Sequence, residues 1–320
     1  MKKIPDGTHS IYTIDCHYMA AGNACAYLLI ENGRAVFIEN NTVHAVPYLM
    51  RALRDHGISP DKVDLLIVTH LHLDHAGGTS ALLRECPNAT VLCHPKASRH
   101  IIDPSRLVKA SIAVYGEDHF IKMYGQIMPV EASRVRSMGD GEMLDYGSRR
   151  FSFIHTAGHA THHFCIHDSG SNGIFTGDAF GLAYPVLQRG AAPFLFPTTA
   201  PSEFDLEEAR RSVENIMATG AGHAYLTHFG AYPDIRDGAL QMTDAFDRIA
   251  GIAEDASAAG ITGDALEEFC RDRFLEFFDN RIRERGLVLS SEEREILDVD
   301  IRLNGRGIAQ YIEKRRGGAQ

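Results

Sequence analysis

Residues 69–78 read Thr69-His70-Leu71-His72-Leu73-Asp74-His75-Ala76-Gly77-Gly78. Three histidines and one aspartate fall within six residues, directly after the apolar run 64–69, which predicts a strand buried on both faces. Loops at the carboxyl ends of such strands are where α/β proteins commonly bind ligands. Because imidazole and carboxylate groups are typical metal ligands, the motif predicts a metal site.

The spacing inside the motif divides its ligands between two ions. His70 and His72 point the same way on an extended segment, because side chains repeat every two residues, and they can chelate one ion. Asp74 and His75 lie a turn further along the chain and can face a second ion. Gly77 and Gly78 allow the backbone to turn tightly behind them.

Three further candidates each follow a predicted strand and have a glycine within two positions. They are His159 after strand 150–155, Asp178 after strand 173–176 and His228 after strand 223–227. His155 and His223 compete with His228, but both fall inside predicted strands, which assigns them to the core or to support of the ligands. His162 is expected to be exposed.

The rest of the chain predicts an α/β fold with a helical tail. Asn32-Gly33 between two apolar runs predicts a hairpin of 24–31 and 34–39. Helical spacing covers 42–56 and 79–85, and residues 90–93 and 163–167 are further strands. Residues 96–129 are interpreted as a mostly helical insertion and 183–201 as a long loop, and helices are predicted at 203–219, 235–259, 264–284 and 291–315. We therefore expect a metal-binding domain over 1–232 and a helical extension over 233–320.

The order H-x-H-x-D-H, then G-H, then G-D, then a late histidine resembles the metallo-β-lactamase superfamily, particularly its glyoxalase II-like thioesterases. The resemblance covers roughly residues 23–228. It implies an αββα sandwich with the site at one edge of the two sheets. The family usually has Asp-x-Gly after its second strand, whereas this chain has Glu39-Asn40-Asn41.

This resemblance also implies a role for each candidate residue. The first ion would be bound by His70, His72 and His159, the second by Asp74, His75 and His228, and Asp178 would bridge the two. Glu39, in place of the family aspartate, and His163 would support ligands without binding an ion. Asp74 and Asp178 would act in catalysis together with a metal-bound hydroxide.

The implied activity is that of a dinuclear hydrolase whose bridging hydroxide attacks an ester, thioester or lactone carbonyl. Ligands that are all nitrogen or oxygen favour two Zn²⁺ ions, and Fe²⁺ or Mn²⁺ fit almost as well. One alternative is an iron-dependent oxidoreductase on the same fold, similar to persulfide dioxygenases. Another is a metal-binding protein without catalytic activity.

Composition narrows the expected partners to a small-molecule substrate. The chain has 32 Lys and Arg against 42 Asp and Glu, a net charge of −10, which argues against nucleic acid as the main partner. It shows neither a signal-peptide pattern nor an apolar run of about 18 residues, so we expect no membrane partner. Six irregularly spaced cysteines favour a reducing, cytoplasmic location. The helical tail and the apolar segment 191–197 are candidates for a homodimer interface.

Overall fold

The computed structural model describes residues 2–4, 10–190, 192–201 and 203–318. Position 191, within the predicted loop 183–201 and the candidate dimer segment, lies outside the described residues. Residues 1 and 5–9, in the N-terminal stretch without a signal-peptide pattern, also lie outside them.

The first sheet is built from the amino-terminal part of the chain. Within the described residues its strands are β1 (Lys2–Ile4), β2 (Ser10–Asp15), β3 (Cys25–Glu31), β4 (Arg34–Ile38), β5 (Val63–Ile67), β6 (Thr90–Cys93) and β7 (Val135–Ser137), in that order across the sheet. Neighbours from β1 to β4 are antiparallel, and those from β4 to β7 are parallel. Asn32 and Gly33 both have positive φ, as the predicted β3–β4 hairpin turn requires.

The second sheet follows in sequence. Its described strands are β8 (Met143–Tyr146), β9 (Arg149–His155), β10 (Phe164–Asp168), β11 (Gly173–Gly177), β12 (His223–Leu226) and β13 (Gly230–Tyr232), and they run in the order β13-β12-β11-β10-β9-β8. Strands β9, β10 and β11 are successively antiparallel, and β11 pairs parallel with β12. Strands β9, β11 and β12 therefore point the same way and end at one edge of the sheet.

The described helices are α1 (Val46–Asp55), α2 (Leu73–Ala76), α3 (Thr79–Glu85), α4 (Pro95–Ile102), α5 (Ser105–Tyr115), α6 (Glu117–Tyr124), α7 (Leu206–Ala218), α8 (Ile235–Ala258), α9 (Asp264–Glu284) and α10 (Ser291–Gly318). The predicted insertion is helical over α4 to α6. The prediction of one helix over 42–56 was wrong at its start. A 3₁₀ turn over Val43–Ala45 comes first, and α1 follows with Pro47 in its first turn, where proline is favoured.

The two sheets share an apolar core. Tyr27 and Ile67 of the first sheet pack with Phe153, Phe164 and Phe175 of the second, and all five are almost fully buried. A second core joins the first sheet to its flanking helices: Leu28 and Phe37 contribute from the strands, Leu49 from α1 and Leu82 from α3. The predicted α/β fold, with two sheets and a C-terminal helical region, is confirmed.

The described chain divides into two compact units. The first comprises the described residues within 1–155, 162–177 and 220–233, and the second comprises those within 156–161, 178–219 and 234–320. Within the second unit, the long loop is bound to the C-terminal helices, because Asn304 of α10 accepts a hydrogen bond from the Thr199 amide at 3.0 Å. The division at residue 232 that the sequence predicts stays a prediction. None of the helices in the described part of the chain is long and apolar enough to span a bilayer.

One buried ion cluster stabilises the first unit. Arg149, at the start of β9, donates from Nη1 to Asp168 at 2.6 Å and lies 3.4 Å from Glu31. Ser148 also donates to Glu31, through its backbone amide and its hydroxyl. A buried guanidinium between two buried carboxylates is costly to break, since each charge depends on the other for compensation.

Candidate metal centre

The H-x-H-x-D-H motif begins where β5 ends, as the sequence predicts. Residues 68–72 form an irregular connection with a bend at 69 and 70, and the single turn of α2 then carries Asp74 and His75. The Thr69 carbonyl accepts a hydrogen bond from the amide of Phe164, the first residue of β10, at 3.0 Å. This bond connects the beginning of the motif to the second sheet at the edge where β9, β11 and β12 end.

His70 and His72 lie side by side. His70 Nε2 is 2.9 Å from His72 Nδ1, and His70 is fully buried. The hydroxyl of Thr69 lies 3.0 Å from the other ring nitrogen of His70. A second contact that fixes a ring and leaves the opposite nitrogen for an ion is typical of metal-binding histidines.

Asp74, His75 and His228 form a compact group, called here the DHH group. Each offers one ligand atom, and these three atoms lie within 4.8 Å of one another. Asp74 Oδ2 is 3.5 Å from His228 Nε2 and 4.0 Å from His75 Nε2. Two imidazole nitrogens and a carboxylate at this spacing match the ligand chemistry of common divalent ions.

The backbone fixes the tautomer of His228. Its Nδ1 lies 2.7 Å from the carbonyl oxygen of Asn23, which can only accept, so Nδ1 carries the proton and donates. The lone pair is then on Nε2, the nitrogen that faces Asp74. Nearby, the amide of Cys25 donates to the Thr227 carbonyl at 2.8 Å, which holds the end of β12 against the start of β3.

His159 and Asp178 form a pair within the second unit. His159 Nε2 is 3.3 Å from Asp178 Oδ2, and both side chains are at least nine-tenths buried. Asp178 directly follows β11, and His159 comes four residues after β9. Both residues therefore occur just past strands whose ends share one sheet edge with β12 and His228.

The two predicted supporting residues lie against the motif. Glu39, buried at the end of β4, places Oε2 3.5 Å from His75 Nδ1 and accepts from the Thr69 amide through Oε1 at 3.2 Å. The ring of His163 lies 4.9 Å, centre to centre, from that of His70.

His162 is not exposed, as the sequence predicted, but half-buried. Its Nδ1 accepts a hydrogen bond from the Leu71 amide at 3.3 Å, and this contact draws the ring against the motif. His155 is a strand residue, as expected. It packs against His94 with ring centres 4.1 Å apart, and burial, aided by His155, lowers the pKa of His94 to about 3. His223 also lies within its predicted strand.

Gly78 is required by a close approach of the backbone. A Cβ at this position would lie 2.7 Å from the carbonyl oxygen of Asn40 and 2.8 Å from that of Thr42. We expect Gly78→Ala to lower the free energy of unfolding by about 1–3 kcal/mol, because backbone has to shift. The control is Gly251→Ala, within α8, where a Cβ meets nothing within 4 Å. That substitution should be neutral or stabilising. Equal denaturation midpoints for the two variants would contradict this interpretation of Gly78.

The comparison with known families agrees with the motif. The model of the metallo-beta-lactamase superfamily matches residues 30–228, more than half of the chain, and ends at His228. The chain belongs to the metallo-beta-lactamase superfamily.

Two curated proteins are similar to this chain over part of their length. A metallo-beta-lactamase fold-containing protein of Sulfurisphaera tokodaii is 28% identical over 161 residues, which are 48% of this chain and 57% of that protein. The atrochrysone carboxyl ACP thioesterase of Aspergillus fumigatus is 27% identical over 188 residues, which are 57% of this chain and 44% of that protein. The chain thus spans about half the length of the curated relatives it matches.

Solved structures show the same fold over nearly the whole chain. The archaeal superfamily protein from Sulfolobus tokodaii superposes with a TM-score of 0.65 at 20% identity, covering 93% of this chain and 97% of that one. A superfamily protein from Thermus thermophilus gives a TM-score of 0.66 at 20% identity, covering 97% and 94%. At this identity, the likeness establishes the fold alone.

Proposed function

We propose that the protein is a metal-dependent hydrolase that holds two divalent ions and cleaves a thioester, ester or lactone. The observation that carries the proposal is the DHH group, in which a carboxylate and two imidazoles converge although 228 − 74 = 154 positions separate Asp74 from His228. A surface cluster of acidic groups would lack this burial and this choice of donors.

The proposed ligand sets follow the order of the family motif. His70, His72 and His159 bind the first ion, the DHH group binds the second, and Asp178 bridges them. The 2.9 Å spacing of the His70–His72 nitrogens and the 3.3 Å spacing between His159 and Asp178 support this assignment. Both spacings are short enough for the two donors of each pair to bind one cation together.

The protein's own groups prepare the site. Bound divalent ions would supply Lewis acidity and lower the pKa of a coordinated water from ~15.7 to near 7. The Asn23 carbonyl keeps the Nε2 lone pair of His228 directed at the site. Glu39 faces the opposite nitrogen of His75 and favours a proton there, which leaves His75 Nε2 available. Burial of His70, His75 and Asp178 excludes water and strengthens each of these electrostatic contacts.

A thioester is the substrate class we favour. One relative is named as a thioesterase, and the motif order is that of the glyoxalase II-like branch, to which we assign the chain as part of this proposal. A thiolate leaving group departs without a proton, so the site needs no general acid for it. Zn²⁺ as the native metal and a cytoplasmic location belong to the same proposal.

An iron oxidoreductase is the second candidate, because imidazole and carboxylate donors also suit Fe²⁺. The test measures bound metal by mass spectrometry on the purified chain, then turnover of S-lactoylglutathione, a p-nitrophenyl ester and a lactone. Two Zn per chain with hydrolysis supports the proposal. One Fe per chain with O₂ uptake on a persulfide supports the oxidoreductase instead. Bound metal without turnover of any substrate in the panel favours a protein that binds metal without catalysis.

A matched pair of variants connects any activity to the DHH group. His75→Ala removes a buried ligand, whereas His119→Ala alters an exposed histidine of α6. We expect the first to lose one ion and its turnover and the second to keep both. Equal turnover of the two variants would remove the DHH group from the proposed mechanism.

A further inference from the structure

The segment Glu39–Asn40–Asn41, which follows β4, is bound to the back of the DHH group. All three side chains are at most 2% exposed. The amides of Asn40 and Asn41 both donate to the His75 carbonyl at 3.0 Å, and the Gly78 amide donates to the Asn41 carbonyl at 2.7 Å. The segment therefore holds the turn that contains Asp74 and His75 at His75 and just beyond the turn, at Gly78.

Asn41 adds a contact of its own through its side chain. Its Nδ2 donates to the backbone carbonyl of Asp74 at 2.7 Å, across 33 positions of sequence. The neighbouring amide, Asn40 Nδ2, donates to the hydroxyl of Thr79 at 2.9 Å, behind the turn rather than at a ligand. Asn41 is thus the asparagine of this pair whose side chain contacts a residue of the DHH group.

The backbone of this segment is strained in a way that points to function. Glu39 and Asn41 have φ values of 63° and 55°, in the left-handed region that few residues other than glycine adopt readily. Asparagine tolerates this region better than most residues, whereas glutamate does not. Such conformations persist where surrounding contacts hold them, and they are concentrated at functional sites. The contacts that hold this segment are those it makes with the motif.

We propose that Asn41 is a positioning residue, which uses its side-chain amide on the Asp74 carbonyl to hold the DHH group in its ligand geometry before an ion binds. The inference rests on the metal binding of the proposed function. The amide binds the peptide unit of Asp74 itself, and so helps to fix the position from which its carboxylate extends. The affinity of the ion bound by the DHH group then depends on Asn41. The hydrogen bond does not involve His70 or His72, so the affinity of the other ion does not depend on it.

Asn41→Gly separates this role from a structural one. Glycine adopts a φ of 55° without cost, so the backbone bonds of residue 41 are retained and the side-chain amide alone is lost. Asn41→Asp is a second variant, which keeps the size and the left-handed preference but places an oxygen against the Asp74 carbonyl. Asn88→Gly is the control, since Asn88 Nδ2 makes the same kind of bond, 2.9 Å long, to the Asp61 carbonyl on the surface.

The experiment titrates Co²⁺ into chelator-treated protein and follows the visible absorption of the bound ion and the heat of binding. His228→Ala identifies the step that belongs to the DHH group. We expect Asn41→Gly and Asn41→Asp to lower the affinity of that step by about 10–100-fold, the range typical when a residue that contacts a metal ligand is substituted. The affinity of the other step should stay unchanged. Asn88→Gly should leave both steps unchanged.

The experiment distinguishes failure of the Asn41 inference from failure of the proposed function. If the parent chain binds two ions and both Asn41 variants do so with parental affinity, even with lowered thermal stability, Asn41 is a structural residue and the inference is overturned. If the parent itself binds no ion, the proposed function fails and the inference with it. If Asn41→Gly does not fold, the affinity of Asn41→Asp decides between these outcomes.

Discussion

Asp178→Ala is expected to lose both ions and to reduce turnover by more than roughly 100-fold. That factor is typical when the substituted residue contacts a metal ligand but not the ion. In the proposed site this carboxylate is shared by the two ions, and it is buried beside His159 at 3.3 Å. Its removal would leave the two adjacent cations without the shared negative charge that offsets their mutual repulsion. Metal analysis after gel filtration measures the first effect, and the rate on the best substrate of the panel measures the second.

The control for this change is Asp145→Ala, which removes an exposed carboxylate of β8 that pairs with Arg150. That variant should keep its metal and its rate. If Asp178→Ala kept two ions and full turnover, the assignment of Asp178 as the bridging ligand would be wrong. Loss of one ion with partial activity would make Asp178 a ligand of a single ion.

Arg149→Met is expected to lower the free energy of unfolding by about 3–5 kcal/mol. Methionine fills much of the same volume, but it leaves Asp168 and Glu31 buried without a compensating charge. The hydrogen bonds from residues 148, 170 and 171 to these carboxylates remain, and they do not supply a full positive charge. Guanidinium unfolding followed by circular dichroism measures the difference.

The neighbouring Arg150 provides the control. Its ion pair with Asp145 is also 2.6 Å long, but both side chains are more than half exposed. Exposed pairs contribute at most about 1 kcal/mol, so Arg150→Met should change stability little. If Arg149→Met and Arg150→Met lowered the free energy of unfolding by similar amounts, burial would not determine how much the Arg149 cluster contributes to stability.

The sequence was most informative where several candidate ligands are close together along the chain. Asp74 and His75 are recognisable because candidate ligands lie next to each other after a buried strand. His228 was found by its strand and glycine context, and the structure places it beside Asp74. The assignment of ions to ligands stays a prediction, because it depends on how separate parts of the chain meet.

Other features of the site leave little trace in sequence. Asn23 contributes a backbone carbonyl, for which any residue would serve, and Asn41 matters through a left-handed backbone that an Asn-Asn pair does not specify. His162 was predicted to be exposed because nothing local indicates that the Leu71 amide donates to it. The short strands β1, β7, β8 and β13 were not predicted. Strand β2 was also missed, and its sequence, SIYTID, has no regular alternation of polar and apolar residues.

The distance along the chain between Asp74 and His228 has a consequence for biosynthesis. A ribosome that adds about 5–20 residues per second needs roughly 8–31 s to pass from one residue to the other. During that interval the nascent chain carries its histidine-rich turn without the partner that completes the DHH group. We therefore expect stable ion capture to follow release of the β12 segment from the exit tunnel, so that cellular metal supply acts on a chain in which strands β1 to β12 have already been synthesised.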